Sequence, residues 1–274
     1  MPDTTIMEPI FDSSFAVRSL DAIWVIARRG IRDLVRVPAA FFPSIMVPLF
    51  FYLIYSAGIG PLASRAGVAV AGNYHGFVLA TIMFLSVTNS ASAAGFAVVR
   101  DIESGYFDKL LLTPAPRATL VFGRLLADGM RAALATTLIL TVGLLTGAGL
   151  AAGPLGFVVL VLLATGWSVV WAGVALTIAL RTGSLDATQL AFFIGFPMVF
   201  LSPAFGPRAL LTGWIRPLSA LNPVTYLIEA SRHLILVGWD SAALGKAALS
   251  VVIVGSITLT LATSALHHRA RANN

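Results

Sequence analysis

Residues 100–117 read RDIESGYFDKLLLTPAPR and separate two long stretches of the chain that carry no formal charge. The 34 residues before them, 66–99, contain no Asp, Glu, Lys or Arg, whereas these 18 residues contain six. A second uncharged stretch, residues 132–180, follows soon after. A compact charged element between two apolar stretches predicts membrane-spanning helices joined by a structured turn.

The composition of the 274-residue chain is that of an integral membrane protein. Hydrophobic residues make up 58% of the chain and charged residues 11%, whereas a soluble domain has roughly 25% charged residues. The absence of cysteine excludes disulfides and cysteine-based metal sites. Little polar sequence is left for a soluble domain, so we predict one all-α transmembrane domain over residues 1–274.

We predict six transmembrane helices, because a helix of about 20 apolar residues crosses a bilayer. The 49 uncharged residues 132–180 are too many for one crossing, and the sequence GAGLAAGP at 147–154 supplies a turn between two helices. Small residues fill the second half of the second span, which predicts contact with protein there and not with lipid. The predicted spans are residues 38–58, 75–99, 127–147, 155–180, 190–204 and 243–266.

Residues 15–36 predict an amphipathic helix that lies on the membrane surface. Apolar residues recur there at spacings of three and four, which places them on one helix face. Trp24 would lie at headgroup depth, and Arg28, Arg29 and Arg32 fall mostly off the apolar face. A helix of a soluble subdomain is the alternative, but nothing nearby in the sequence could pack against it.

Residues 205–240 mix apolar stretches with charges and contain no segment long enough to span a membrane. We predict an outer segment of short helices that enter the membrane and return, broken at Pro207, Pro217 and Pro223. Glu229 and Arg232 are three residues apart, so we expect an ion pair on one helical turn. A structural role for this pair is favoured over a role as a gate.

The distribution of Lys and Arg places both termini in the cytoplasm. With the N-terminus inside, the inner segments hold 13 of the 18 basic residues and the outer segments hold five. The positive-inside rule favours this orientation, in which residues 100–124 are cytoplasmic. The net charge of +6 is then explained by cytoplasmic loops beside anionic lipid headgroups and not by nucleic acid binding.

Residues 100–124 predict a stiff element just below the membrane. The second span is expected to continue as helix through Glu103 and to end at Gly105, a residue typical of helix C-termini. Residues 106–112 form a short amphipathic helix, and the prolines within residues 113–116 force a turn before a helix that begins at Arg117.

The short helix of this element is predicted to expose apolar side chains beside charges, namely Tyr106, Phe107 and residues 110–112. That composition suits docking into a groove on a cytoplasmic partner. An interfacial helix that contacts only lipid is the alternative.

The element resembles the loop after the second span of ABC-2 type permeases. The resemblance rests on Arg100-x-x-Glu103-x-Gly105, a run of leucines, and Thr113-Pro114-x-x-Arg117. A later stretch is similar to the family's sequence before its last span, and it consists of Leu221-Asn222-Pro223-x-x-Tyr226 followed by Glu229-Ala230-x-Arg232. Within the family, the chain looks most like drug-export permeases of the daunorubicin-resistance type.

The resemblance implies the membrane-spanning permease subunit of an ATP-binding-cassette exporter in the bacterial plasma membrane. Two permease subunits, a homodimer in preference to a heterodimer, would form the pathway. Two copies of a separate cytoplasmic ATPase subunit would bind ATP and Mg. The chain contains no P-loop motif, so we expect no ATPase site, catalytic residue, cofactor or metal within it.

In the family, the loop after the second span acts as a coupling region seated in the ATPase, and the N-terminal amphipathic helix also contacts the ATPase. The resemblance therefore assigns coupling to Arg100, Asp101, Glu103, Gly105, Tyr106, Phe107, Leu110, Leu111, Thr113, Pro114 and Arg117.

The transported molecule is expected to pass between the two permease subunits along the second and fifth spans. Met and aromatic side chains form adaptable apolar surfaces for amphipathic drug-like or lipid-like molecules. In the fifth span these side chains are Phe192, Phe193, Phe196, Met198 and Phe200, and the alternative is that they face lipid. Asn89 in the second span lines the pathway or holds helices together, and the second role is favoured.

Other functions fit the sequence less well. A proton- or sodium-coupled secondary transporter needs ionisable residues inside the membrane, and the centres of the predicted spans contain none. A membrane enzyme would need clustered His, Asp or Glu, and the four histidines form no recognisable ligand spacing. The sequence does not distinguish drug export from export of a lipid or glycan precursor.

Overall fold

The computed structural model describes residue 28 and residues 38–59, 73–111, 117–204 and 206–272, and every secondary-structure element in these ranges is helical. The all-α class predicted from the sequence is therefore confirmed for the described chain. The α-helices are α1 (Pro38–Ile54), α2 (Tyr74–Glu103), α3 (Tyr106–Leu111), α4 (Arg117–Leu145), α5 (Gly153–Thr182), α6 (Leu185–Thr188), α7 (Leu190–Phe200), α8 (Ile215–Leu221), α9 (Pro223–Arg232) and α10 (Ser241–Ala272).

Four helices of the described chain are long and apolar enough to cross a membrane, in α2, α4, α5 and α10. The predicted second, fourth and sixth spans lie within α2, α5 and α10, and the predicted third span runs two residues past the end of α4. The predicted first and fifth spans fall on shorter apolar helices, Ser44–Ile59 and Leu185–Phe200. With 11 residues, α7 is only about 16 Å long, so the count of six crossings stays a prediction.

Helix α2 is the centre of the bundle. Twenty of its 30 residues are buried, and it packs against α1, α4, α5, α7 and α9. The small residues of its second half, including Ser90, Ser92 and Gly95, are buried between helices. The predicted protein contact of this half is thereby confirmed, because small side chains let neighbouring helix backbones approach closely.

We expect Gly95→Ala to destabilise the protein by about 1–3 kcal/mol, which is typical of overpacking. A Cβ at Gly95 would lie 2.7 Å from the carbonyl oxygen of Ala175 in α5 and 2.5 Å from a methyl group of Thr188. Gly245→Ala in α10 is the matched control, because a Cβ at Gly245 meets nothing within 4 Å. Denaturation of the purified protein in mixed detergent micelles measures the free energy of unfolding of both variants. Equal destabilisation by the two substitutions would contradict this close packing of α2 on α5.

Helix α5 adds a polar and aromatic contact to this core. Trp167 and Trp171 of α5 stack with ring centroids 5.8 Å apart, and the Trp167 indole N–H donates a 2.9 Å hydrogen bond to the Thr88 hydroxyl of α2. Buried indoles need such an acceptor. The bond therefore sets the position of α5 along α2.

One end of the bundle, here called the Tyr74 end, contains the start of α2, the turn between α4 and α5, and residues 201–204 and 206–240. The predicted turn at 147–154 is confirmed, with Gly147, Gly149 and Gly153 all at positive φ. The backbone N–H groups of Ala151 and Ala152 donate hydrogen bonds to carbonyl oxygens in the π-helical turn His233–Val237. These bonds join the turn to the segment before α10.

The opposite end, here called the Glu103 end, contains α3, the start of α4, the end of α5 and the end of α10. Arg269 near the end of α10 donates a 3.1 Å hydrogen bond to the Leu180 carbonyl of α5. Gly183, at φ +63, ends α5 beside the Arg269 side chain. Residues 100–111 and 117–124 and the end of α10 therefore lie on the same side of the bundle.

Candidate functional site

Residues 100–111 form the end of a helix, a glycine turn and a second, short helix at the Glu103 end. Helix α2 continues to Glu103, and Gly105 follows at φ +68 with its N–H donating to the Ile102 carbonyl at 3.0 Å. A glycine adopts this left-handed conformation without the steric penalty of a Cβ. Helix α3 begins directly afterwards, so the predicted order of helix, glycine and short helix is confirmed.

The described side chains of this element range from exposed to buried, and Asp101 and Tyr106 are partly buried. Arg100, Glu103 and Lys109 are exposed, whereas Phe107 is only 5% exposed and belongs to the hydrophobic core. The prediction that Phe107 is displayed to a partner is therefore wrong. Helix α3 contacts α2 across the turn at Gly105, and Phe107 packs with the hydrophobic core and not outward.

Several predicted coupling residues lie outside the described residues. These are the side chains of Leu110, Leu111 and Arg117, and all of Thr113 and Pro114. Most of the predicted interfacial helix also lies outside them, including Trp24, Arg29 and Arg32, while Arg28 is helical and exposed.

An ion pair closes the base of the element. Asp101 at the end of α2 and Arg124 in the second turn of α4 approach to 3.2 Å between carboxylate and guanidinium atoms. Both side chains are mostly buried, which strengthens the pair relative to one in water. The pair fixes the separation of α2 and α4 where α3 connects them, so Asp101 holds the element in shape.

A second polar cluster lies further along α4. Asp128 is 2% exposed, accepts a 2.8 Å hydrogen bond from the Ser168 hydroxyl of α5, and pairs with Arg131 at 3.4 Å. Arg131 lies three residues from Asp128 on the same helix, so spacing alone brings the two together, whereas the bond to Ser168 joins different helices. A charge buried in a membrane segment is costly unless it is paired. The cluster therefore holds α4 and α5 in register.

At the Tyr74 end, Arg232 makes a set of contacts that the sequence did not reveal. Its Nε donates to the Phe77 carbonyl at 3.1 Å, and its Nη2 donates to the Thr81 hydroxyl at 3.0 Å and the Ala204 carbonyl at 2.8 Å. Its guanidinium carbon also lies 3.4 Å from the centroid of the Phe77 ring. Arg232, only 7% exposed, therefore ties α9 to α2 and to the segment after α7.

The predicted ion pair between Glu229 and Arg232 is not formed. Glu229 instead approaches Arg208 at 3.9 Å, and both of these side chains are partly exposed. Arg232 points into the bundle, where three acceptors in a fixed arrangement match the planar fork of its donors. We call Arg232 with Phe77, Thr81 and Ala204 the arginine clamp.

The Asn222-Pro223-x-x-Tyr226 motif builds the turn between α8 and α9. The Asn222 side chain accepts the Val224 N–H at 3.0 Å as the cap of α9, and Pro223 occupies the first helical position, where its missing N–H is not needed. The Tyr226 hydroxyl donates to the Ala220 carbonyl at 2.7 Å. These residues position the helix that carries Arg232.

One of the three predicted breaks in segment 205–240 is wrong. Pro207 precedes the 3₁₀ turn Arg208–Leu210, and Pro223 starts α9, but Pro217 lies inside α8. The first turn of a helix tolerates proline, because its N–H groups have no partner within the helix.

The aromatic residues of α7 form a row along one side of the helix. The Phe192 and Phe196 ring centroids are 5.9 Å apart, and those of Phe196 and Phe200 are 4.5 Å apart. Phe193 and Phe196 are exposed in the single chain, whereas Phe192, Met198 and Phe200 are partly buried. Helix α7 thus offers an apolar surface to lipid, to a second subunit or to a transported molecule.

Asn89 lies on α2, the helix against which α7 packs. It is partly buried, and its amide oxygen is shielded from solvent without a hydrogen-bond partner among the described residues. Buried amide oxygens normally accept a hydrogen bond. The described residues therefore leave the acceptor capacity of the Asn89 amide oxygen unused.

Comparison with known proteins gives a consistent picture. The family model described as ABC-2 type transporter matches residues 21–236. The chain is similar to "Daunorubicin resistance ABC transporter permease protein DrrB1" of Streptomyces coeruleorubidus, with 29% identity over 72% of this chain and 69% of the relative. It is also similar to "Probable doxorubicin resistance ABC transporter permease protein DrrC" of Mycobacterium tuberculosis, with 24% identity over 74% and 71%. A third relative, "Putative transport permease ycf38" of Porphyra purpurea, is 23% identical over 85% and 84%.

Proposed function

Because the chain belongs to the ABC-2 type transporter family, we propose that it is the membrane subunit of an exporter whose ATP is hydrolysed by a separate cytoplasmic subunit. The main support for this proposal is the structure of residues 100–111. It extends the central helix beyond the apolar segment, and the Asp101–Arg124 pair and the buried Phe107 brace it. Its exposed charges are available to a partner protein.

The proposed complex contains two permease chains, a homodimer in preference to a heterodimer, and two ATPase subunits that carry ATP and Mg. The Glu103 end faces the cytoplasm of a bacterium, with both termini on that side. This orientation follows the positive-inside rule. Exposed basic residues at that end of the described chain, namely Arg100, Lys109, Arg181 and Arg271, support it.

Helix α2 is proposed to act as the lever that transmits ATPase closure across the membrane. Its 30 residues extend about 45 Å, from Glu103 at one end to the arginine clamp at the other. The clamp attaches α9 and the segment after α7 to residues 77 and 81 of this lever. Displacement of α3 would therefore move the Tyr74 end as one unit and open the subunit interface outward.

The proposed cargo is an amphipathic molecule taken from the cytoplasm or the inner leaflet. The aromatic row of α7 and Met198 support an adaptable apolar pathway surface between the subunits. The names of the first two relatives favour drug-like cargo, and lipid or glycan precursors are the alternative.

The proposal is tested by co-expressing the chain with the ATPase encoded beside it and purifying the complex in lipid nanodiscs. We expect the two proteins to co-purify and ATP turnover to rise with amphipathic compounds such as anthracyclines. An ATPase whose P-loop lysine is replaced is the control for contaminating hydrolysis. If the chain purifies without the ATPase in every detergent and lipid, the proposed coupling is wrong.

A further inference from the structure

An open cavity of about 560 Å³ lies at the Tyr74 end, between the 3₁₀ turn Arg208–Leu210 and α8. Its volume falls within the range of sites that bind small molecules. Two of its five lining residues are basic and the other three are apolar, and the five are Arg208, Ala209, Arg216, Pro217 and Ala220. The export function proposed above assigns no role to this cavity.

The charge of the cavity favours an anion. Glu229 approaches Arg208 at 3.9 Å, which compensates one of the two arginines in part. Arg216 is exposed, and no carboxylate of the described residues forms an ion pair with it. Guanidinium groups bind phosphate through two parallel hydrogen bonds, so an arginine pair with one neighbouring acid suits a singly charged phosphate.

The surface around the cavity favours a ligand with an apolar part. Trp214, which is 70% exposed, and Leu218 of α8 are both exposed within two residues of Arg216. Leu210, at the end of the 3₁₀ turn, is also exposed. These side chains do not stabilise a small aqueous anion, whereas an acyl chain that packs against them is favourably removed from water. Tryptophan beside basic residues is typical of the headgroup depth of a bilayer.

We propose that this cavity binds the phosphate headgroup of an anionic membrane phospholipid. Arg208 and Arg216 hold the phosphate, and Trp214 and Leu218 contact the start of the acyl chains. The lipid binds the resting protein, so the site acts independently of ATP and of the transported molecule. It places residues 206–240 of the outer segment against the bilayer at a defined depth.

The test is quenching of tryptophan fluorescence by brominated lipids in nanodiscs, without ATPase or nucleotide. The difference between the wild-type chain and Trp214→Phe isolates the signal of Trp214 from that of the other four tryptophans. We expect brominated phosphatidylglycerol to quench Trp214 at an about fivefold lower mole fraction than brominated phosphatidylcholine. One basic side chain near an anionic lipid contributes about 1 kcal/mol, which corresponds to that factor.

Arg216→Gln is expected to remove this preference, because Arg208 is already in part neutralised by Glu229. Lys246→Gln is the matched control, since Lys246 is an exposed basic residue of α10 at the same end but outside the cavity lining. It should leave the preference intact. Equal quenching by the two lipids in the wild-type chain would overturn the proposal, as would equal effects of the two substitutions.

Inorganic phosphate is the alternative ligand, because it presents the same anionic group as the lipid headgroup. Millimolar inorganic phosphate should leave the quenching by brominated phosphatidylglycerol unchanged if the site takes a lipid headgroup. Displacement of the lipid signal by inorganic phosphate would overturn the assignment to a phospholipid. Because no ATPase is present, these outcomes do not depend on whether the export function is correct.

Discussion

Replacing Arg232 by Met is expected to lower the free energy of unfolding by about 2–4 kcal/mol. The substitution removes three hydrogen bonds from a charged donor, each of which contributes roughly 1.5–3 kcal/mol. Part of this loss is offset, because the folded protein no longer buries a guanidinium charge. The Ala204 carbonyl keeps a hydrogen bond from the Thr81 hydroxyl at 2.8 Å, which limits the damage.

Two further substitutions test whether Arg232 stabilises the protein through the arginine clamp or through an ion pair with Glu229, which the residue spacing suggests. Arg232→Lys should cost at least as much as Arg232→Met, because the ammonium keeps the buried charge but cannot reproduce the planar fork. Glu229→Gln should cost about 1 kcal/mol or less, since its contact with Arg208 is long and partly exposed. Detergent denaturation followed by circular dichroism measures all three. A cost for Glu229→Gln equal to that of Arg232→Met would reinstate the pair between 229 and 232.

The clamp also shows which part of this site the sequence could not predict. Spacing of three residues correctly places Glu229 and Arg232 on neighbouring positions of one helix. It carries no information about the helix that each side chain faces. Arg232 contacts Phe77, which is 155 positions away in the chain. A contact between residues so distant in sequence depends on tertiary packing. Asp128 is similar, because its neighbour Arg131 was predictable but its partner Ser168 on α5 was not.

The ends of helices and the turns between them were predictable wherever glycine, proline or charge interrupts an apolar stretch. The turn at 147–154, the end of α2 near Gly105 and the start of α9 at Pro223 all follow from backbone preferences of single residues. Pro217 was misjudged because a proline breaks a helix in its interior but not in its first turn. Phe107 was misjudged because an amphipathic pattern does not reveal whether its apolar face meets a partner or its own chain.

The largest functional effect is expected from Glu103→Arg in the proposed coupling element. Glu103 is exposed at the last position of α2, so reversing its charge leaves the core and the Asp101–Arg124 pair untouched. If it contacts a basic group of the ATPase, the reversal replaces attraction by repulsion and weakens the contact by about 2 kcal/mol or more. We expect ATPase affinity to fall by at least about thirtyfold and substrate-stimulated ATP turnover to be lost.

Asp186→Arg is the control that gives this prediction its specificity. Asp186 is also acidic and exposed, and it lies at the Glu103 end but in α6, outside residues 100–124. The substitution makes the same change of charge on the same side of the bundle, so a general electrostatic effect on ATPase binding would appear in both variants. Co-purification and ATP turnover in nanodiscs measure each. If both variants lose ATPase binding and turnover to a similar extent, the ATPase contacts the Glu103 end in general and not residues 100–124 in particular.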